Sequence, residues 1–369
     1  MAAKTNDYKS ESIFQRRVRN FKKIKRAYYS LIIIVSLYLL SFLAPLLVNN
    51  KALAVHYNGS TYFPAIGDLF WGSVPVQYHD ASFFGQTEVF GQTAQGEANY
   101  RELKKQYTQE NKGNWVVMPF YPYSPNEVLL GEVSQPPTKP DNKHWFGTDN
   151  RGRDVLARVV YGFQISITFA LLLTFFSYLL GTIIGACLGY FGGKLDILGM
   201  RFIEVFAFVP VTFLIMILSS FMKPSIIKLV ALLTIFGGWI GITYLIRGEY
   251  LREKSKEYTT AAIAMGASDF SIMFKHILPN ALTPIITFAP FNIIGNITAL
   301  LSLDFLGFGL RPPTPSWGEL ISQGMGEDIS FWWLIVTPLV MMFFTLLTIT
   351  FIGEGVRQAF DPREYARLQ

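Results

Sequence analysis

The chain has 369 residues, of which 51% are hydrophobic and 15% aromatic, and its formal net charge is +6. Together with a positive mean hydropathy, this composition excludes one or two ordinary soluble domains and predicts an integral membrane protein. The single cysteine, Cys187, excludes a disulfide framework, and because it falls in an apolar run we expect it to serve packing.

The positive charge is concentrated before the first apolar run. The basic residues there are Lys4, Lys9, Arg16, Arg17, Arg19, Lys22, Lys23, Lys25 and Arg26, against the acidic Asp7 and Glu11. A nucleic-acid-binding arm is one interpretation of this cluster. Its position directly before a span favours a cytoplasmic retention signal instead, and no nucleic-acid partner is expected. The apolar run that follows has span length and no small-x-small cleavage site, so we expect it to be the first span and not a cleaved signal peptide.

Six apolar stretches approach the length of about 20 residues that a helix needs to cross a bilayer. They are Tyr28 to Val48, Phe163 to Tyr190, Phe202 to Phe221, Ile226 to Ile246, Ile285 to Leu303 and Phe331 to Ile352. The predicted segments are a basic tail (1–27), a first span (28–48), an outer insert (49–158), a core with five spans (159–353) and a tail (354–369). The sequence therefore predicts an all-α membrane protein with six transmembrane helices, both termini in the cytoplasm and a large extracytoplasmic insert between helices 1 and 2.

The insert is rich in aromatic residues. They are Tyr57, Tyr62, Phe63, Trp71, Tyr78, Phe83, Phe84, Phe90, Trp115, Phe120, Tyr121 and Tyr123. This content is too high for a disordered linker, so we predict a small, irregular domain on the outer face of the spans. The insert either covers helix ends, or it docks a substrate-delivery protein or gates the outer mouth.

The insert ends in the stretch His144 to Asp154. Asp149, Asn150 and Asp154 suggest a calcium loop, but the ligand spacing and the final glutamate of such a loop are missing. We expect Asp149 to brace the turn instead. We also expect Arg153 to Tyr161 to form an interfacial helix that leads into the second span.

Glycines and prolines mark the later spans. Gly181, Gly185 and Gly189 recur every four residues, so one face of the second span allows another helix to approach closely. We expect prolines to interrupt three later spans, as is tolerated where neighbouring groups satisfy the freed carbonyls. These prolines are Pro210, Pro290 and Pro338.

Ionisable residues occur only near the ends of the spans, as Glu204, Lys228 and, just past the fifth span, Asp304. A proton- or sodium-coupled carrier usually needs carboxylates or histidines near the midplane. The energy for transport should therefore come from elsewhere. Asn292 and Asn296, four residues apart on the fifth span, either line a polar pathway or hydrogen-bond across helices.

The cytoplasmic loop 247–284 contains a predicted helix, a bend and a second helix. Thr259 to Met265 favours the first helix, and Gly266 can take the left-handed conformation that ends it. Ser268 or Asp269 can cap the second helix, which Pro279 is expected to end. Such an element inserts into a soluble partner, or it lies in the headgroup layer as an amphipathic helix.

The segment after the fifth span, Asp304 to Leu320, combines a glycine-rich exit, a rigid proline elbow and a tryptophan suited to the interface. The chain has no phosphate-binding loop, no His-Glu-x-x-His motif and no Gly-x-Ser-x-Gly elbow. Its four histidines are scattered along the sequence. We therefore expect no catalytic residue, no cofactor and no metal in this chain.

The loop 247–284 resembles the coupling ("EAA") loop of ATP-binding-cassette importer permeases. Ala261-Ala262, Gly266 after three residues, and Leu278-Pro279 carry the resemblance. Thr260 and His276 depart from it, because that pattern has glutamate and isoleucine there, and a salt bridge from the first of these positions is in doubt.

Three further segments extend the resemblance to the dipeptide, oligopeptide and nickel group of these permeases. They are Phe-Gly-Thr-Asp-x-x-Gly-Arg-Asp at 146–154, Leu-Gly-x-Gly with Pro-Pro-x-Pro-Ser-Trp-Gly at 306–318, and the ending 352–363. The insert, with Tyr-Asn-Gly-Ser-x-Tyr-Phe-Pro at 57–64, is most similar to the oligopeptide and microcin C importing subgroup.

The resemblance implies a type I permease fold in a bacterial inner membrane, where the chain imports oligopeptides or peptide-like compounds. It also implies four kinds of partner: a homologous sister permease, ABC ATPase subunits that hold ATP and magnesium, an extracytoplasmic peptide-binding protein and membrane lipid. The implied ATPase-coupling residues are Tyr258, Thr259, Thr260, Ala261, Ala262, Gly266, Ala267, Asp269 and Phe270. Two alternatives stay open: the same architecture carrying nickel or another small solute, and a membrane scaffold or enzyme subunit that transports nothing.

Overall fold

The computed structural model describes residues 13–69, 88–93, 98–129, 131, 135–326 and 331–360. Several residues of the sequence predictions lie outside these ranges. They are Lys4, Asp7, Lys9 and Glu11 of the basic tail, Trp71, Tyr78, Phe83 and Phe84 of the insert, and Asp361 to Gln369 of the C-terminal tail.

Helices dominate the described residues. In chain order they are α1 (Ile13–Lys23), α2 (Lys25–Ser41), α3 (Ala44–Leu47), α4 (Pro64–Leu69), α5 (Tyr100–Glu110), α6 (Val155–Phe191), α7 (Gly193–Ala207), α8 (Val211–Phe221), α9 (Ile226–Leu233), α10 (Ile240–Lys254), α11 (Glu257–Ala264), α12 (Asp269–Ser271), α13 (Leu278–Phe305), α14 (Trp317–Gly326) and α15 (Trp332–Phe360). Two π-helical segments, Thr234–Gly238 and Ile272–Ile277, join α9 to α10 and α12 to α13.

Up to six segments of the described chain have the length and composition to cross a membrane, if each bent pair of helices counts as one span. Three are single helices, at Val155–Phe191, Asp269–Phe305 and Trp332–Phe360. The other three are bent pairs, α1 with α2 (98°), α7 with α8 (64°), and α9 and its π-helical segment with α10 (48°). The six predicted spans are therefore present as apolar helical segments, although two of the later ones are bent.

The first predicted span is shorter than expected. Helix α2 ends at Ser41, and the separate four-residue helix α3 contains Pro45 near its start. A proline lacks the backbone N–H that would continue the helical ladder, which explains the break before α3. The prediction that Tyr28 to Val48 forms one uninterrupted helix was wrong.

Two further helix predictions need correction. Residues 153–161 do not form a separate interfacial helix, because α6 runs without a break from Val155 to Phe191. Pro210 does separate two helices, but Pro290 and Pro338 lie inside continuous helices. Neighbouring groups and local adjustments of the ladder satisfy the carbonyls that such prolines leave free.

The described part of the insert contains a small antiparallel sheet. Its strands are β1 (Ala54–Tyr57), β2 (Ser60–Tyr62) and β5 (Trp115–Val117), in the order β2-β1-β5, and β3 (Glu88–Val89) pairs with β4 (Gln92–Thr93). Asn58 and Gly59, both with positive φ, make the tight turn between β1 and β2. Helix α5 packs on this sheet through Leu103 and Tyr107, which are buried.

Helix α6 is the centre of the bundle. Its N-terminal half packs with α2, α13, α14 and α15 around Trp317 and Trp333, both of which are buried. Its C-terminal half packs along α10, where Gly181, Gly185 and Gly189 face residues 239–250. A Cβ at Gly185 would lie 2.7 Å from the Thr243 carbonyl oxygen, so this face needs glycine for helix contact within the chain itself.

Candidate coupling site

Residues 257–277, the coupling element, follow directly on α10, and Glu253 holds the junction. The Glu253 side chain is buried and accepts hydrogen bonds from Lys256 Nζ at 2.7 Å and from the Tyr258 hydroxyl at 2.7 Å. The Glu253 backbone carbonyl accepts a bond from the Thr259 hydroxyl at 2.9 Å. A buried carboxylate is costly unless it is paired, so these bonds fix the direction in which α11 leaves α10.

A Schellman motif ends α11. Gly266 has φ +78°, its N–H bonds to the Ile263 carbonyl at 2.9 Å, and the Ala267 N–H bonds to the Ala262 carbonyl at 3.1 Å. This pattern satisfies the last carbonyls of a helix and is usually built on glycine, because L-residues disfavour the left-handed conformation. The prediction of a left-handed Gly266 is confirmed.

The second helix starts at a Ser268 cap and does not end at Pro279. The Ser268 hydroxyl accepts a bond from the Ser271 N–H, and the helix continues through the π-helical segment into α13. The Leu278 N–H bonds to the Met273 carbonyl five residues back. Such a π-type shift of the ladder accommodates a proline, which explains why the predicted stop at Pro279 is absent.

The coupling element has a buried and an exposed side. Thr259 and Ala262 are buried against the bundle, and Ala267 is partly buried. The exposed predicted residues are Tyr258, Thr260, Ala261, Gly266, Asp269 and Phe270. The exposed side also presents apolar surface, with Met265 80% and Phe270 72% exposed. Exposed apolar side chains so near each other in sequence are typical of a surface that contacts a protein or a membrane.

Tyr190 ties the coupling element to the C-terminal end of α6. Its hydroxyl donates to Asp269 Oδ1 at 2.6 Å, and its carbonyl accepts from Lys254 Nζ at 2.5 Å. The Lys254 ammonium also lies 5.2 Å from the centre of the Tyr190 ring. The element is thus held to α6, α10 and α13, and a force on it acts on three helices of the bundle.

Asn292 and Asn296 form hydrogen bonds from α13 to α6. Asn292 Nδ2 donates to the Tyr178 hydroxyl at 2.8 Å, and Asn296 Nδ2 donates to Thr174 Oγ1 at 2.9 Å. These bonds match the second of the two roles considered for the pair. The role of both residues in lining a pathway stays a prediction.

A buried ion network lies at the opposite end of the bundle, next to the insert. Arg158 is fully buried in α6 and pairs with Glu319 of α14, and it also donates to the Pro125 carbonyl at 3.0 Å. Arg153 bridges Asp149 and Glu319, with its Nη2 atom 2.9 Å from Glu319 Oε1. Burial alone lowers the pKa of the Arg153 guanidinium, but Asp149 and Glu319 outweigh it and the pKa is raised.

Asp149 and Asp154 brace the end of the insert. Asp149 Oδ1 accepts bonds from the backbone N–H groups of Arg151 and Arg153, which confirms the predicted bracing role. Asp154 caps α6 and accepts a bond from the Tyr121 hydroxyl at 2.6 Å. Burial and the neighbouring Asp154 carboxylate raise the pKa of Tyr121, so this hydroxyl stays protonated and donates. No group of three or more potential metal ligands occurs among the described residues.

Sequence reasoning missed Glu253, Tyr190 and the pair Arg158–Glu319. Glu253 had no distinctive local signal, because Glu249, Glu257 and Asp269 lie in the same loop among its basic residues. The pair Arg158–Glu319 had none, since its members are separated by most of the permease core.

Two family models match the chain. One, described as the inner membrane component of binding-protein-dependent transport systems, covers residues 177–364. The other, described as the N-terminal transmembrane domain of oligopeptide transport permease C, covers residues 12–62.

Curated relatives agree with both models. The chain is 39% identical to the inner membrane ABC transporter permease protein YejE of Escherichia coli, over 95% of this chain and 97% of that protein. It is 36% identical to the peptidoglycan transport system permease protein YejE of Agrobacterium fabrum, over 96% and 94% of the two chains. It is 36% identical to the oligopeptide transport system permease protein OppC of Haemophilus influenzae, over 66% and 78%.

The apolar helical bundle, the family models and the relatives together define the class of this protein as a membrane-embedded transport subunit. The chain belongs to the family of inner membrane components of binding-protein-dependent transport systems. The fold is accordingly that of a type I permease with up to six spans.

Proposed function

We propose that this chain is a permease subunit of an ATP-driven importer for oligopeptides or peptide-like compounds and forms half of its translocation pathway. The named relatives of the chain are ABC, peptidoglycan and oligopeptide transport permeases. The observation that carries the mechanism is the exposed apolar side of the coupling element, which is held by buried bonds to α6 and α10.

ABC ATPase subunits dock on this side, and they hold the ATP and magnesium that this chain does not bind. The docking residues are those predicted from the sequence, Tyr258 to Ala262, Gly266, Ala267, Asp269 and Phe270, extended by the exposed Met265. Closure of the ATPase dimer pulls on the coupling element, and the ties to α6, α10 and α13 transmit the movement into the bundle. The chain itself carries out no chemical step.

The remaining partners are a homologous sister permease and an extracytoplasmic peptide-binding protein. Under this proposal both termini lie on the cytoplasmic side: the exposed basic residues of α1 favour the cytoplasm, and Arg17 of α1 contacts Thr283, which follows the coupling element, and Phe360 at the end of α15. The insert then lies outside, where it covers helix ends or receives the binding protein.

The first experiment compares Gly266→Val with Gly248→Val in uptake of a labelled peptide. A Cβ at either glycine meets nothing within 4 Å, but only Gly266 has positive φ. The strain of a β-branched residue in this conformation should therefore act on the turn alone. We expect uptake to be lost in the Gly266 variant and kept in the Gly248 variant, with equal amounts of both in the membrane. Normal uptake with Val at 266 would contradict the coupling role.

The second experiment tests docking directly, by purifying the chain in mild detergent and identifying what accompanies it. We expect ATPase subunits and a second permease, and we expect Phe270→Ser to reduce the ATPase yield. Phe120→Ser is the matched control, because Phe120 is 78% exposed and lies in the insert, away from the coupling element. Purification without ATPase subunits, under conditions that keep a known importer intact, would favour the scaffold alternative.

A third measurement tests the cargo. We expect the partner binding protein to retain peptide and the peptide to stimulate ATP hydrolysis by the assembled complex. Retention of nickel instead would keep the architecture and replace the cargo.

A further inference from the structure

Helix α1 turns sharply away from the first span. The axes of α1 and α2 differ by 98°, with the break at Ile24. Because α2 crosses the membrane, α1 lies close to the membrane plane. Tyr28 and Tyr29 follow the break within the first turns of α2, and tyrosines in this position mark the headgroup level. Helix α1 therefore lies at the membrane surface.

One face of α1 is fixed to the bundle. Arg17 Nη1 donates to Thr283 Oγ1 at 3.2 Å, and the Arg17 guanidinium lies 4.6 Å from the centre of the Phe360 ring. Phe21, four residues later, packs against the bundle core, and Ile24 is partly buried. This i, i+4, i+7 face docks α1 onto the ends of α13 and α15, so the helix has a defined orientation.

The opposite side carries a dense group of cations, the basic corner, which consists of Lys22, Lys23, Lys25 and Arg26. All four residues are exposed, and no acidic residue occurs between residues 13 and 26. Lys25 and Arg26 stand in the first turn of α2, where the helix dipole disfavours positive charge, and no acidic residue offsets them there. The charges of the corner repel one another and the helix end, so an external anion would stabilise them.

We propose that the basic corner binds the headgroups of anionic phospholipids in the cytoplasmic leaflet. The long side chains of lysine and arginine reach headgroup phosphates from helices at this depth, and clusters of four to eight such residues next to a span are typical of anionic-lipid recognition. The assignment of the leaflet rests on the orientation given under the proposed function. The charge of the corner and its depth in the membrane do not depend on that orientation.

A lipid at this corner would act on the transport machinery through α1. The docked face of α1 contacts α13, which continues the coupling element, and α15, through Thr283 and Phe360. Neutralising the corner relieves the repulsion at the bend and favours the docked position of α1. The corner thus links the charge of the inner leaflet to the cytoplasmic end of the bundle.

The test is a titration of the purified full-length chain in mild detergent with phosphatidylglycerol and, separately, with phosphatidylcholine. Native mass spectrometry counts the bound lipids. We expect the wild-type chain to prefer phosphatidylglycerol. Because each basic residue near an anionic surface contributes roughly a fivefold gain in binding, Lys22→Gln/Lys23→Gln/Lys25→Gln/Arg26→Gln should reduce the preference by at least about tenfold.

The matched control removes the same charge from the insert, as Lys104→Gln/Lys105→Gln/Lys139→Gln/Lys143→Gln, all at exposed lysines. This variant should keep the preference. If the corner variant inserts poorly, two other measurements replace it. In the first, salt is raised from about 50 to about 500 mM, and the preference of the wild-type chain for phosphatidylglycerol should fall because salt screens exposed charges. In the second, Lys22→Arg/Lys23→Arg/Lys25→Arg keeps the charge and should keep the preference.

Equal preferences in the corner variant and the control would overturn the proposal. So would a corner variant that keeps its lipid preference but loses co-purifying ATPase subunits, because the corner would then be a protein interface. The titration uses neither ATPase nor peptide, so its failure leaves the proposed transport function untouched, and failure of transport leaves the titration interpretable.

Discussion

Replacing Glu319 by alanine should destabilise the end of the bundle next to the insert, because Glu319 pairs with the buried Arg158. Arg158 is 0% exposed and Glu319 14% exposed. After the substitution Arg158 keeps only carbonyl contacts, of which the shortest is 3.0 Å, and Asp149 at 3.6 Å from its Nε. The buried charge would then keep only the longer ion pair to Asp149, which Arg153 shares, and losing the Glu319 partner costs up to roughly 3–5 kcal/mol.

Arg153 limits the loss because it retains Asp149 after Glu319 is removed, with Nε 2.7 Å from Asp149 Oδ2. Glu319→Gln should cost less than the alanine variant, about 2 kcal/mol, because the amide oxygen still accepts one hydrogen bond from Arg158. The free energy of unfolding should therefore be lowest for Glu319→Ala, intermediate for Glu319→Gln and highest for the wild type, because Arg158 keeps more acceptors in that order.

The assay is thermal unfolding of the purified chain in detergent, followed by loss of the monodisperse peak on size exclusion. A loss of 3–5 kcal/mol lowers the apparent Tm on the order of 10 °C. Glu110→Ala is the control, because Glu110 is solvent-exposed and contacts only Gln106 and Lys112, and no measurable change is expected. A Glu319→Ala chain as stable as this control would refute the reasoning, since it would mean that Arg158 is compensated without Glu319.

Three further predictions use the same assay. Gly185→Val should prevent close contact of α6 with α10 and cause large destabilisation or loss of folded protein, whereas Gly295→Val, where a Cβ meets nothing, should not. Tyr121→Phe removes the hydroxyl that donates to Asp154 Oδ2 and should cost roughly 1–2 kcal/mol; an unchanged Tm would show that His144 Nδ1, which lies 2.9 Å from the same oxygen, satisfies it without Tyr121. The backbone N–H of His144 lowers the pKa of Asp141, so the contribution of its charge is complete above the unfolded value of about 3.9 and is lost as pH falls through the lower folded value. The Tm difference between wild type and Asp141→Ala should shrink in that acidic range, and a difference that grows there would contradict the sign.

The features that could be predicted from the sequence are those that depend on local patterns. The apolar stretches gave the helical segments because span length alone identifies them. The spacing of Gly181, Gly185 and Gly189 indicated a close helix contact, and the structure shows the partner to be α10. Gly266 was identified for the same reason, since a left-handed helix end depends on the glycine itself.

Proline was the least reliable signal. Pro45 breaks a helix that was predicted to continue, while Pro279, Pro290 and Pro338 lie in helices that were predicted to stop or be interrupted. The outcome depends on whether the preceding turn can shift to π-type bonds or whether neighbours satisfy the free carbonyl. Neither condition can be read from the residues around the proline.

One signal in the insert was available and unused. Asn58-Gly59 is a dipeptide typical of a two-residue hairpin turn, and the structure forms β1 and β2 on either side of it. The third strand, β5, pairs with β1 from a position about sixty residues away in sequence. Such long-range pairing has no local pattern, which is why the insert was predicted only as irregular.

The two ends of the bundle are joined by one continuous helix. From Asp269 to Phe305 the chain forms 37 residues of helix, about 55 Å at 1.5 Å per residue. Its first residue, Asp269 of the coupling element, accepts the hydrogen bond from the Tyr190 hydroxyl of α6. Asp304, in its last turn, accepts bonds from Ser316 Oγ at 2.5 Å and from the Leu310 N–H at 2.6 Å. Ser316 directly precedes α14, which carries Glu319 of the buried ion network. If the coupling element docks an ATPase as proposed, a tilt imposed on it would displace the anchor of α14 at the opposite end through this one helix.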